Sequence, residues 1–249
     1  TPHVDLPGHE LCISSNEAFD LPQMPKSIVL VGGGYIAVEF ANIFHGLGVE
    51  TTLIYRGKQI LSRFDHDMRQ GVQSAMIAKG IRIVCEDIIT SVAEGEGGSR
   101  VVRTKAGETL TVDQVMLALG RVPNTGGLGL ETAGVAVNER GAILVDDYSR
   151  TNVPGIFALG DVTDRVQLTP VAIHEAMCFI ETEFRGKPVS PDHDLIATAV
   201  FSQPEIGTVG LTEAKAAASL DEVEIYRAKF RPMRNTISGR DETMLVKLV

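Results

Sequence analysis

The hydrophobic positions along this chain change period at regular intervals, and glycine marks the changes. Ser27-Ile28-Val29-Leu30-Val31 is a short continuous apolar run closed by Gly32, the pattern of a strand buried on both faces of a parallel sheet. From Tyr35 onward apolar residues recur at 36, 40, 43, 44 and 47, which predicts an amphipathic helix ended at Gly48. A β-rich run over 49–55 follows, then a helix over 65–79 with Gly80 as its stop, then a strand over 81–85. This βαβαβ order predicts a parallel sheet with right-handed crossovers. Residues 88–93, 100–105 and 109–112, separated by Gly95, Gly97, Gly98 and Gly107, predict an antiparallel insert. Residues 115–119 predict another buried strand, ending at Gly120. Apolar runs at 143–145 and 156–159 predict two short strands, and 170–184 predicts a helix with Pro170 in its first turn. A linker over 188–191 leads to β-runs at 198–201, 222–230 and 243–249 around a helix at 212–219 that Thr212 can cap. Residues 1–26 are loop-rich, with Pro2, Pro7, Gly8, Pro22 and Pro25.

Composition narrows the picture. With 249 residues, 44% hydrophobic and 22% charged, the chain has the make-up of a soluble globular protein with one large or two modest domains. Its net charge of −9 argues against nucleic acid and anionic membrane as partners, since both call for a positive surface. No apolar run reaches the roughly 18 residues that span a bilayer, and the first residues lack the basic and apolar regions of a signal peptide. Cys12, Cys85 and Cys178 are far apart and form no paired motif; they read as small buried or incidental thiols of a reducing compartment, so the expected location is cytoplasmic. The six histidines (3, 9, 45, 66, 174 and 193) show no zinc-like spacing, so no metal is expected. His193, between Asp192 and Asp194, reads as a residue of a solvated loop. The chain begins without Met and ends on the apolar alternation 244–249, which reads as a strand cut short; a piece of a longer protein is expected.

The chemistry enters at Gly32-Gly33-Gly34-Tyr35-Ile36-Ala37, a G-x-G-x-x-A string between a predicted strand and a predicted helix. Gly32 permits the tight turn, Gly34 lets backbone approach a pyrophosphate, and the small Ala37 lets helix and strand pack. The helix N-terminus then offers free N–H groups and a positive dipole to phosphates. The alternative is a glycine-rich turn with no ligand. About twenty residues on, an NAD site places an acid to accept from the ribose 2′-hydroxyl. Here the second strand ends at Tyr55-Arg56, Glu50 sits at its other end, and Lys58 and Arg63 follow. A guanidinium binds a 2′-phosphate that a carboxylate repels, so NADP(H) is read over NAD(H). The other reading, solvated surface charge, is stronger for Lys58 than for Arg56.

Five ordered motifs then carry a resemblance over essentially the whole chain. They are Gly32-Gly33-Gly34-Tyr35-Ile36-Ala37-Val38-Glu39, Leu119-Gly120-Arg121-Val122-Pro123-Asn124, Ile156-Phe157-Ala158-Leu159-Gly160-Asp161-Val162, Leu168-Thr169-Pro170-Val171-Ala172-Ile173, and the stretch from Val200 to Glu213. Together they resemble the two-dinucleotide-binding-domain flavoprotein disulfide reductases, most of all the glutathione reductases. The resemblance implies an α/β fold: a Rossmann-like NADPH-binding domain over 1–122, the C-terminal portion of an FAD-binding domain over 123–193, and the truncated start of an α+β dimerisation domain over 194–249. It implies NADPH contacts from Gly32, Gly34, Ile36, Ala37 and Gly120, with Arg56 and Arg63 at the 2′-phosphate. It implies FAD contacts from Gly160, Asp161, Leu168 and Thr169, with Asp161 at the ribityl chain and the Pro170 helix directed at the flavin. Tyr35 resembles the ring that covers the flavin until nicotinamide arrives, and Glu39 the nicotinamide-side carboxylate. From the residues alone, Tyr35 is also a helix-start core aromatic, Glu39 a first-turn acid and Asp161 a turn former.

The resemblance implies NADPH and FAD as cofactors, glutathione disulfide as substrate and a homodimer. The family's Cys-x4-Cys disulfide and C-terminal His-Glu pair have no counterpart in this stretch, so no residue of it is expected to be catalytic beyond the Tyr35 and Glu39 gate, and the stretch alone is expected to be inactive. Two departures stand out. Many members place the second arginine one position earlier than Arg63, and Met177 stands where some glutathione reductases carry a substrate-binding arginine. Related enzymes of the mercuric, trypanothione or dihydrolipoamide type, and a non-catalytic NADPH-binding module, are the competing readings.

Overall fold

The protein's structure, a computed structural model, describes residues 4–249; Pro2 and His3 lie outside the described residues. In chain order the helices and strands are α1 (Ser15–Ala18), β1 (Ser27–Val31), α2 (Tyr35–Gly46), β2 (Glu50–Tyr55), α3 (His66–Lys79), β3 (Arg82–Cys85), β4 (Ile89–Glu94), β5 (Arg100–Thr104), β6 (Thr109–Val112), β7 (Gln114–Leu117), α4 (Leu130–Ala133), α5 (Thr169–Arg185), β8 (Thr198–Val200), β9 (Ile206–Thr208), α6 (Glu213–Ser219), β10 (Tyr226–Phe230), α7 (Met233–Ser238) and β11 (Met244–Leu248). They form two compact units, one of residues 4–120 with Thr198–Val249 and one of Arg121–Ala197.

The first unit is built on a four-stranded sheet of order β3-β2-β1-β7, every pair parallel. Its inner strands read as continuous apolar runs because both faces are covered. Ile28, Leu30, Leu53 and Met116 pack with Ala37, Val38, Ala41 and Phe44 of α2 and with Val72 and Met76 of α3. The alternate residues Val29, Val31, Ile54, Val115 and Leu117 pack with Val92, Val102 and Val112 of the antiparallel sheet β4-β5-β6. Burying each such side chain contributes about 1.5–3 kcal/mol. Residues 198–249 add two antiparallel pairs, β8 with β9 and β10 with β11.

Two expectations fail in the second unit. The runs 143–145 and 156–159 make only the isolated bridges Val137–Ile143 and Arg150–Phe157. Neither bridge extends into a ladder: Ala158 N–H donates to the Ser149 carbonyl as part of the Arg150–Phe157 bridge, while Ile143 N–H turns away to the Val162 carbonyl. What the apolar residues signal is a small core, in which Val135, Ile143 and Ala158 are buried against Leu130, Val145, Val153, Ile156 and Val162. Phe157 meets Phe179 of α5 edge to face at 5.0 Å. In the first unit, the β-run predicted over 222–230 forms a strand only from Tyr226.

Candidate functional site

In the first unit β1 lies between β2 and β7, where the strand order reverses, and ligands of open α/β sheets bind beyond the carboxyl ends of strands at such a point. The glycine turn occupies that place. Gly32 has φ +145°, and a Cβ there would lie 2.3 Å from the Ala118 carbonyl oxygen and 3.4 Å from the Cβ of Ala37, so neither conformation nor space admits a side chain. Gly33 lies under the Tyr55 ring, 2.4 Å from where its Cβ would stand. Gly34 differs: a Cβ there would meet nothing within 4 Å, which leaves the turn open to a ligand. Gly34 is also the N-cap of α2, and among the described residues no side chain caps that end. The first-turn amides of α2 are therefore free to receive an anion. Tyr35 and Ile36 are half-buried against the core on the α2 side, and Ala37 is fully buried. Gly120 is exposed just beyond β7, on the same sheet edge.

The segment after β2 folds back on this turn. Leu61 N–H donates to the Gly33 carbonyl at 2.6 Å. Ile60 N–H donates to Gln73 Oε1 at 3.2 Å, and Arg69 sends Nε to the Ile60 carbonyl and Nη2 to the Gln59 carbonyl, each at 2.9 Å. Ile60 and Leu61 are buried, while Arg56, Lys58 and Arg63 project outward. Among the described residues, the Arg56 and Arg63 guanidinium groups have no hydrogen-bond or ion-pair partner. The carboxylate that follows them, Asp65, is engaged elsewhere. It caps α3 through Asp67 N–H and accepts from Glu213 N–H and Lys247 Nζ.

Lys247 is nearly buried and also meets Asp67 and Glu213, at 2.7 and 2.6 Å. Burial alone lowers its affinity for a proton, but the three carboxylates outweigh it and hold its pKa above the ordinary lysine range. Asp67 is held below the carboxylate range by its bonds to Lys247 and Arg227, and Asp65 is held low by Lys247 and two backbone amides against the opposing effect of burial. Glu39, half-buried on α2, accepts Phe201 N–H at 2.9 Å; burial nevertheless raises its pKa.

In the second unit Gly160 sits at φ +73° against Ala172 of α5, 3.2 Å from where its Cβ would stand. Its N–H donates to Glu175 Oε2 at 2.5 Å and its carbonyl accepts from Thr163 Oγ1 at 2.8 Å. Asp161, the next residue, pairs with Arg121. Glu175 is 1% exposed; its other oxygen lies 2.8 Å from His193 Nε2 and 3.4 Å from Arg165 Nη2. His193 is thus held against a buried acid and is not the solvated loop residue its neighbours suggested. Leu168 and Thr169 stand at the open N-terminus of α5, and Met177 is exposed two turns further on. The three cysteines are free thiols, and burial pushes Cys12 up to about 11. Among the described residues there is no group of His, Cys, Asp and Glu able to hold a metal ion, and no helix is long and apolar enough to cross a membrane.

Residues 2–176 match the family model of the pyridine nucleotide-disulphide oxidoreductases, and residues 196–249 match the dimerisation domain of the same family. The chain belongs to the pyridine nucleotide-disulphide oxidoreductases. Among its relatives in this family, a glutathione reductase of Burkholderia cepacia is 49% identical over 97% of this chain and 54% of its own length. A trypanothione reductase of Trypanosoma congolense is 48% identical over 95% of this chain and 49% of its own length. The chain thus spans about half the length of the curated relatives it matches. A solved structure, the HOCl-induced flavoprotein disulfide reductase RclA of Escherichia coli, superposes with a TM-score of 0.90 at 28% identity, over 99% of this chain and 57% of that one.

In this oxidoreductase chain the predicted residues fall into two groups. Gly32, Gly34, Ile36, Ala37 and Gly120 share one sheet edge, and the loop bearing Arg56 and Arg63 is tied to that turn at Gly33. Gly160, Asp161, Leu168 and Thr169 belong to the second unit. Sequence reasoning missed Arg69, Gln73 and Glu175. The first two were visible as polar residues four apart on one helix, but the loop they reach was not. Glu175 was readable only as a helix-interior acid.

Proposed function

We propose that the chain is the nucleotide-binding half and interface start of an NADPH- and FAD-dependent disulfide reductase whose substrate is glutathione disulfide and whose assembled form is a homodimer. Residues 1–122 serve NADPH, 123–193 complete the FAD domain, and 194–249 begin the dimerisation domain. FAD, when bound, would supply the two-electron relay from NADPH to a redox disulfide outside this stretch, which would thereby become the dithiol that reduces the substrate. The free thiols fit a reducing, cytoplasmic setting.

The observation that carries the reading is the pairing of an open helix N-terminus at Gly34 with two unengaged guanidinium groups on the adjoining loop. The α2 amides take the pyrophosphate, with Gly34 giving it room. Arg56 and Arg63 take the 2′-phosphate by charge-assisted hydrogen bonds. Tyr35 and Glu39 serve the nicotinamide side, and Asp161 and the α5 N-terminus serve FAD. Met177, in place of an arginine, and the trypanothione reductase relative favour a second reading in which another disulfide is the substrate.

The test is titration of the chain with 2′-phospho-AMP and with AMP. Tighter binding of the phosphorylated ligand is expected, with Arg56→Ala weakening that ligand about 10- to 100-fold, the worth of one charge-assisted bond. Equal affinity of the wild-type chain for both ligands refutes the NADPH assignment.

A further inference from the structure

The loop that carries Arg56 and Arg63 is anchored at Gly57, whose carbonyl accepts Glu86 N–H at 3.1 Å, and by the buried side chains of Ile60 and Leu61. It is exposed at 56, 58, 62 and 63, and residue 61 takes a positive φ of 56° that a leucine adopts only when its surroundings compel it. The polar restraint on its backbone at Gln59 and Ile60 comes from α3. Arg69 spreads its guanidinium over two successive carbonyls, Gln59 and Ile60, and Gln73, one turn on, accepts the Ile60 N–H. Leu61 then passes the restraint to the glycine turn through Gly33. A planar fork satisfies two carbonyls at once in a way that a lysine ammonium on a flexible stem does not.

We infer that Arg69 is a positioning residue for recognition of the nucleotide 2′-phosphate: with Gln73 it fixes the loop so that Arg56 and Arg63 are held ready beside the Gly32–Gly34 turn. The inference rests on the NADPH reading above. Arg69 itself is occupied by the two carbonyls and does not face the phosphate. Its effect is on the fraction of molecules whose loop is already in the binding conformation, and apparent affinity scales with that fraction. The effect must therefore be confined to ligands that use the loop.

The experiment titrates the chain and its Arg69→Lys, Arg69→Met and Gln73→Leu variants with 2′-phospho-AMP and AMP, with the far-UV circular dichroism spectrum recorded for each. Arg69→Lys is the deciding variant because it keeps the charge and loses the fork. It is expected to weaken 2′-phospho-AMP about tenfold while AMP stays within about twofold. Gln73→Leu, which changes no charge, is expected to show a smaller loss of the same kind. Should Arg69→Met fail to fold, the other two variants decide by the same criterion. The inference is overturned if Arg69→Lys binds 2′-phospho-AMP like wild type while Arg69→Met does not, since long-range charge then explains the loss. It is equally overturned if both ligands weaken together, the mark of a merely structural residue. A wild-type chain that does not distinguish the ligands refutes the NADPH reading itself, a separate outcome.

Discussion

Replacing Glu175 by methionine keeps the length of the side chain and removes its charge from one of the most enclosed places in the second unit. Three groups lose their acceptor together. Gly160 N–H is buried and left without a partner, at a cost of about 1–3 kcal/mol. His193 loses its polar partner and Arg165 the carboxylate that neutralises it, and Arg165 already has Nε and Nη2 buried without a hydrogen bond. Breaking a buried pair costs about 3–5 kcal/mol, and the Arg165 and His193 side chains keep some contact with water, so about 3 kcal/mol is expected. In a chain of this size that lowers Tm by roughly 6–12 °C. The chain has no tryptophan, so urea and thermal unfolding are followed by far-UV circular dichroism. The control is Glu183→Met, which removes a more exposed pair with Arg150 and is expected to cost under about 1 kcal/mol. If Glu175→Met costs no more than Glu183→Met, the carboxylate is not the fastening of the Gly160 turn.

Gly32→Ala forces a Cβ against the Ala118 carbonyl at an unfavourable φ and is expected to cost roughly 1–3 kcal/mol in denaturant unfolding; Gly34→Ala, in open space, should change stability little and weaken 2′-phospho-AMP. Lys247→Met leaves Asp65 without its lysine and only Arg227 beside Asp67 and Glu213, and is expected to cost on the order of 3 kcal/mol at neutral pH. Because Asp65 and Asp67 are held below their unfolded pKa, their share is complete above about pH 4 and is lost as the pH falls further. Lys247 is held above its unfolded value, so its share is complete below about pH 10 and is lost as the pH rises. The Tm difference between wild type and variant, plotted against pH, should therefore narrow at the acid end.

What was legible in the sequence is what is local. The strand–glycine–helix turn lies within eleven residues of chain, and each glycine there answers to a neighbour that the parallel βαβ order dictates. The same holds for α3, whose capping Asp65 and terminal Gly80 are both written at its ends. Illegible were the features in which distant side chains choose their partners. His193 is flanked by two aspartates and reads as wet, yet its ring reaches a buried acid 18 residues back. The runs at 143–145 and 156–159 have strand composition, but each makes a single isolated bridge and no ladder extends. Arg69 looks like any solvent-facing helix residue until the loop it restrains is seen.

The Tyr55 ring stands between two bare α-carbons, since a methyl group at Gly33 or at Gly57 would come within 2.6 Å of it. The three positions consequently form one unit of substitution. A smaller residue at 55 would release both glycines to accept alanine, whereas either alanine alone would displace the ring and with it the start of the loop that bears Arg56. Laboratory evolution of this segment should find the double change, small at 55 with alanine at 33 or 57, far more often than either alanine by itself.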